Sequence, residues 1–242
     1  MGRTFLYNDS VGYCDTLDHM GTDLTIVNSA RVSFDVEHSD LEPRDEKLIH
    51  YLYSNKHTSP FEHCSVRFEC NVPLFVARQH MRHRTWSFNE VSRRYTDVNL
   101  EFYLPEEFRP QAETNRQASV HEGEEINPVL KIIHGSTQEW HTKASEMLIS
   151  HTRKSVRLYN QMLKGGICRE QARMVLPQNM YCKYVATANL HNILKFISLR
   201  DKPEAQWEIR RLAQEMSASV SRLFPVAWDA YTGASEAKEP EL

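Results

Sequence analysis

Between residues 65 and 72 the chain alternates strictly: Val66, Phe68, Cys70 and Val72 fall on one side, Arg67, Glu69 and Asn71 on the other. That period of two predicts a half-buried strand. Pro73 ends it and suits the first turn of a helix from Leu74 to about Arg82. Asp23 reads as the N-cap of a helix through Leu24, Ile26, Val27 and Ala30, and Pro43 opens a second with Leu48, Ile49 and Leu52 on one face. Residues 3–8 read as a short edge strand.

Farther along, residues 104–127 carry Pro105 and Pro110, many polar positions and no period, the mark of a long surface excursion. Asn127-Pro128 has the form of an N-cap and first helical residue. The apolar positions from Val129 through Ile133, Trp140, Met147 and Val156 to Met162 predict one long helix or two stacked ones, stopped by Gly165-Gly166. A short helix over Ile167–Leu176 follows, ended by Pro177, then a Tyr/Val/Thr-rich strand at 180–188. Asn189 begins a helix to about Arg200, and Pro203 begins one running to about Phe224. Helices packed on a small, mostly antiparallel sheet define an α+β protein. Without repeats or low-complexity blocks, residues 1–232 read as one domain and 233–242 as a loose acidic tail.

Composition narrows the chemistry. With 242 residues, 40% hydrophobic and 25% charged, the chain can bury a sizeable core. Of its 8 glycines only Gly165 and Gly166 lie within two positions of each other, so neither G-x-G-x-x-G nor a P-loop is present. Five scattered cysteines, no apolar leader and no long apolar run predict reduced thiols, a cytoplasmic location and no membrane partner. The formal charge is −3, yet residues 78–94 hold five arginines against one glutamate, a local +4. Arg78 and Arg82 share a helix face; Arg84, Ser87, Asn89, Ser92 and Arg94 follow in a predicted loop. Guanidinium forks with hydroxyl and amide donors suit phosphorylated ligands. The strand at 65–72 and Leu74–Ala77 anchor this cluster to the core. A zinc reading of Cys64, Cys70, His80 and His83 fits no standard finger spacing, so no metal is expected.

Arg82-His83-Arg84, then seven residues, then Ser92, resembles the signature of flavin-dependent thymidylate synthases. Four further blocks are similar to that family in order: Asn28–Phe34, His57–His63, Arg169–Pro177, and Leu199-Arg200 with Ala205–Arg210. The resemblance implies a non-Rossmann fold and reductive methylation of dUMP to dTMP. It implies FAD as cofactor, NADPH and 5,10-methylenetetrahydrofolate as co-substrates, and a homotetramer whose sites draw on several subunits. It places dUMP at Gln79, Arg82, Glu90, Val91, Ser92, Arg93, Arg94, Arg173 and Arg200. It places FAD at His57, Ser59, Arg82, His83, Arg84, Thr85, Asn89, Glu90, Asn189, His191 and Lys195. Arg200 is the implied catalytic residue, polarising the pyrimidine; as a permanent cation it stabilises charge and does not act as a base. Arg93 stands where the family often has glycine, Lys195 where some members have Asn or His, and Glu204 where some have His. Trp86 is expected to stack near flavin or folate, whereas Trp140, Trp207 and Trp228 read as core or interface. Taken without the resemblance, the same arginines with Trp86 and Tyr95 also suit a single-stranded nucleic-acid-binding module, against which the net −3 counts.

Overall fold

The computed structural model describes residues 3–95, 100–112, 125–134 and 138–236. In chain order the elements are β1 (Tyr13–Met20), α1 (Asp23–Arg31), α2 (Pro43–Ser54), β2 (Ser65–Pro73), α3 (Leu74–His80) and β3 (Ser87–Glu90). There follow β4 (Val129–His134), β5 (Gln138–Lys143), α4 (Ala144–Lys164), α5 (Arg169–Ala172), β6 (Tyr181–Asn189), α6 (Leu190–Arg200), α7 (Trp207–Leu223) and α8 (Pro225–Glu236). One sheet has the order β1-β2-β6-β3, and β4 and β5 form a separate antiparallel pair. The class is α+β. Contacts divide the chain into two compact units: Met1–Cys70, Gln79–Asn89 and Tyr184–Leu242 form the first, Asn71–Arg78 and Glu90–Lys183 the second.

The alternation of β2 does what its period predicts: Val66, Phe68 and Cys70 in the first unit and Val72 in the second are wholly buried. Helix α7 buries Ile209, Leu212, Ala213, Met216 and Val220, a stripe of helical period. Ile193, Phe196 and Ile197 of α6 join them. Fully burying each of these side chains other than Ala213 is worth roughly 1.5–3 kcal/mol. Gly21, at φ +85°, turns β1 into α1; a Cβ there would meet Cys64 Sγ at 2.7 Å. β1 is an element the sequence pattern does not announce, and residues 3–8 contribute a single bridge, Phe5 to Tyr13.

Asp23 corrects its expected role. The N-cap of α1 is Thr22. The carboxylate of Asp23, 5% exposed, instead accepts hydrogen bonds from the backbone N–H groups of Val226 and Ala227, 3.0 Å each, at the start of α8. The helix expected from Pro203 to Phe224 begins only at Trp207, and α8 is a separate helix opened by Pro225. It runs to Glu236; the remaining tail, 237–242, lies outside the described residues.

The second unit holds the largest departure. Residues 129–134 and 138–143 are paired antiparallel strands and not a helix, with Val129 opposite Lys143 and Ile132 opposite Trp140. Their apolar residues fit either period, but Val129, Ile132, Ile133 and Thr142 are β-branched and Gly135 interrupts the run. Asn127 does cap a helix, though a later one: its Oδ1 accepts from Ser145 N at 3.1 Å, at the start of α4. Gly166, at φ +84°, follows the end of α4 in the left-handed region. The expected helix at 167–176 is the single turn α5 and a 3-10 turn, Arg173–Val175. Part of the excursion, 113–124, lies outside the described residues.

Candidate active site

The arginine-rich motif is sorted by which side chains can be buried. Helix α3 ends at His80, and tight turns follow: His83 N bonds His80 O at 3.0 Å and Trp86 N bonds His83 O at 3.3 Å. These turns fold residues 81–86 back and lead into β3, a strand where a loop is expected. Trp86, only 6% exposed, packs beside Phe68, Phe88 and Phe196 and edge-on to His80 at 4.6 Å. It is a core residue, which corrects its expected stacking role. The alternative nucleic-acid module thereby loses one of its two stacking faces, leaving only Tyr95 exposed. With the rings turned inward, Arg82, Arg84, Thr85 and Asn89 are turned outward and exposed.

Beneath that surface His80 is fully buried, its Nδ1 2.9 Å from the Tyr184 hydroxyl. Burial, reinforced by the charges of His83 and Arg200, drives its pKa down to about 3. His83 lies above it, half-buried and edge-on to Phe196 at 4.9 Å. Arg200, the last residue of α6, donates from Nε to His83 Nε2 at 3.2 Å. Because arginine keeps its proton, His83 accepts as the neutral imidazole with its own proton on Nδ1. Burial, then Arg200 and Lys195, lowers the pKa of His83 and favours that form. The carboxyl end of α6 is itself a favourable seat for a cation.

A cleft of about 210 Å³ opens on the other side of α6, in the first unit. His191, Lys195 and Ser198 line one wall on successive turns; Lys56, His57 and Thr58 line the other, with Tyr53 and Phe61 between. Lys56 adopts φ +60°, and the bond from His57 N to Leu52 O, 2.8 Å, fixes the turn that presents His57. Three expected flavin contacts, His57, His191 and Lys195, are thus brought together. Ser59 lies in the adjoining 3-10 turn, and Asn189 spends its side chain capping α6 through Asn192 N at 3.0 Å. Tyr53, Lys56, Thr58, Phe61 and Ser198 were not among the expected residues. The i, i+4, i+7 spacing of 191, 195 and 198 is the one sequence signal that marks this face.

The residues expected at dUMP lie as follows. In the first unit the Gln79 amide bonds that of Gln206, and Arg82 is exposed. In the second, Val91 N bonds Lys183 O at 2.9 Å, extending β3 alongside β6. Glu90 faces the Cys182 thiol, whose pKa is raised by burial first and by Glu90 second. Ser92 Oγ accepts from Arg94 N at 3.3 Å, and the Arg94 guanidinium lies over the Tyr95 ring. Arg93 is half-buried, and Arg173 is exposed on its 3-10 turn.

Cys14, Cys64, Cys70 and Cys182 are buried, and only Cys168 is exposed. Burial pushes the Cys64 thiol up to about 12, and a hydrogen bond to Cys70 with burial raises Cys14. None of the four buried thiols is placed as a nucleophile. Cys70 and His80, two of the four zinc candidates, are engaged with Cys14 and Tyr184. Among the described residues the one group of three or more His, Cys, Asp or Glu side chains close enough to share a metal ion is His38, Glu42 and Asp45, with Arg31 on Asp45 and Arg44 on Glu42.

Comparison with known proteins gives this arrangement its family. Residues 16–226 match the family described as thymidylate synthase complementing protein. The flavin-dependent thymidylate synthase of Thermus thermophilus is 41% identical over 220 residues, covering 91% of this chain and 75% of that one. The enzyme of the same name from Thermotoga neapolitana is 34% identical, covering 91% and 90%. Among solved structures, the UMP/dUMP methylase PolB from Streptomyces cacaoi, bound with 5-Br dUMP, shares the fold at a TM-score of 0.75 and 31% identity, covering 92% and 95%. The fold is thus one shared with a nucleotide methylase. The chain belongs to the flavin-dependent thymidylate synthase family.

Proposed function

We propose that this protein is an FAD-dependent thymidylate synthase that converts dUMP to dTMP. It takes a one-carbon unit from 5,10-methylenetetrahydrofolate and reducing equivalents from NADPH, releasing tetrahydrofolate and NADP⁺. The observation that carries this reading is the family match over 16–226, within which Arg200 is held on His83 of the Arg82–Ser92 motif. Residues 1–232 act as one catalytic domain, which that match spans almost entirely.

The α6 cleft fits one end of FAD. Lys56 and Lys195 supply cations for phosphate or ring oxygens, and Tyr53, Phe61 and Leu194 supply an apolar wall. At about 210 Å³ it has room for a ring system and not for a whole dinucleotide. His57, Ser59, Arg82, His83, Arg84, Thr85, Asn89, Glu90, Asn189, His191 and Lys195 are assigned to the cofactor, with the remainder supplied by neighbouring subunits of a homotetramer. When bound, FAD supplies the two-electron step between NADPH and the transferred carbon.

The chain's own residues do the rest. Gln79, Arg82, Glu90, Val91, Ser92, Arg93, Arg94 and Arg173 hold dUMP, with Ser92 and Arg94 toward its phosphate. Arg200 stabilises negative charge developing on the uracil ring, so carbon 5 becomes nucleophilic without a thiolate adding to the ring. The buried cysteines agree with that route. Five unpaired cysteines also favour a reducing, cytoplasmic setting, and no helix of the described residues is long and apolar enough to cross a membrane.

Purified protein should be yellow and, under anaerobic conditions, should form dTMP only with dUMP, methylenetetrahydrofolate and NADPH all present. No dTMP with FAD added would overturn the assignment. A monomer by sedimentation in the active preparation would overturn the shared-subunit part alone.

A further inference from the structure

The second unit holds a concave site outside all of this. Phe102 and Leu104 on one side, and Ile149 and Val156 of α4 on the other, wall a cavity of about 450 Å³ with Arg153 and Arg157 at its rim. That volume is in the range of small-molecule sites, which are mostly apolar with a few polar groups that fix orientation. Both walls are tied down. Tyr103 N bonds Asn179 O at 2.8 Å and Tyr181 N bonds Glu101 O at 2.9 Å, so 101–103 lies as an extended segment on 179–181. Asn179 Nδ2 reaches Thr152 Oγ1 at 3.4 Å and joins that segment to α4. The cavity is therefore built before any ligand arrives.

Its charge is unbalanced. Arg153 and Arg157 are four residues apart on one helix face, an arrangement that destabilises a helix through like-charge repulsion. Helix α4 contains a single acidic residue, Glu146, in its first turn, where it accepts from Thr142. Neither guanidinium has a hydrogen-bond or ion-pair partner among the described residues. Two unpaired forks above an apolar cavity are complementary to one kind of molecule. We propose that this cavity binds an aromatic anion, its flat apolar body against Phe102, Leu104, Ile149 and Val156 and its carboxylate, sulfonate or phosphate held by Arg153 and Arg157. The site is independent of the flavin-dependent reaction and does not require it.

The test uses FAD-loaded full-length protein and two probes of the same aromatic body, 8-anilinonaphthalene-1-sulfonate and the uncharged N-phenyl-1-naphthylamine. Calorimetric titration should find one saturable site with the sulfonate bound at least about tenfold more tightly. Arg153→Gln with Arg157→Gln should abolish that preference while leaving the uncharged probe's affinity in place. Val156→Trp should fill the cavity and remove both. Flavin content and absorption spectrum should stay unchanged throughout, so this site and the flavin reading fail separately. Equal affinity for the two probes in the wild type, or a preference that survives the double substitution, overturns the proposal. So does a changed sedimentation coefficient in the double variant, which would assign the cavity to a contact between subunits.

Discussion

Arg200 donates its Nε–H to Nε2 of His83 across 3.2 Å, and the bond exists only while His83 is neutral. Burial first, then Arg200 and Lys195, sets the His83 pKa below the ordinary histidine range. The sign follows: His83 is neutral above that range, and acid protonates it and turns an acceptor toward a cation. Turnover should therefore fall on an acid limb lying below about 6.5, the free-histidine value. Substituting His83→Gln, which retains a hydrogen-bond acceptor, should flatten that limb. An unchanged limb in His83→Gln would assign it to another group. Arg200→Lys keeps the charge and loses the planar fork, so turnover should drop by about two orders of magnitude while the FAD dissociation constant changes little. Equal loss of both would give Arg200 a structural role.

His80 makes a separate statement about stability. It is fully buried and neutral, with a pKa of about 3 set chiefly by burial. The unfolded chain binds a proton near 6.5 that the folded chain refuses, so stability is complete above that value and lost as pH falls toward 3. The slope is about 1.4 kcal/mol per pH unit in that window. Denaturant midpoints of wild type and His80→Phe should converge as pH is lowered from 7 to 5, the phenylalanine variant losing less. Parallel pH profiles for the two proteins would refute a buried, neutral His80.

Asp45 carries the opposite kind of linkage. Burial would raise its pKa, but hydrogen bonds from His38, Arg31 and Glu42 N outweigh that and hold it at about 2. It therefore stabilises the fold above about 3.9, the value in the unfolded chain, and loses that contribution as pH falls toward 2. Asp45→Ala strands the Arg31 charge and should cost roughly 3–5 kcal/mol by denaturant titration. A loss under about 1 kcal/mol would mean water replaces the carboxylate.

What the sequence makes legible follows from what its local rules encode. The alternation of β2, the Asn189 cap and the Gly165-Gly166 stop are decided within a few residues, and each holds in the structure. The paired strands at 129–134 and 138–143 carry apolar residues that fit either period, so period alone misleads there. Asn127 and Asp23 are cap residues by chemistry, but each caps a helix that folding brings to it, 18 and 203 positions along. In the site, the resemblance names residues on both walls of the α6 cleft, while Tyr53, Lys56 and Phe61 join it through the packing of α2, the following turn and α6. Trp86 shows the limit of reading exposure from polar neighbours, because the turns after α3 carry it inward among the rings.

The Asp23 contact allows a direct test of that long-range cap. Its two oxygens each take one of the first N–H groups of α8, from Val226 and Ala227, and the residue is buried. An uncapped helix start leaves such donors unsatisfied, and a negative charge there also meets the positive end of the helix dipole. Asp23→Ala removes both effects and should cost about 1–2 kcal/mol. Asp23→Asn keeps an acceptor and should cost less. The loss should localise: amide hydrogen exchange should accelerate in the first turn of α8 before it does in α1, where Thr22 is the N-cap. Faster exchange in α1 with α8 protected would show that Asp23 acts mainly on its own helix.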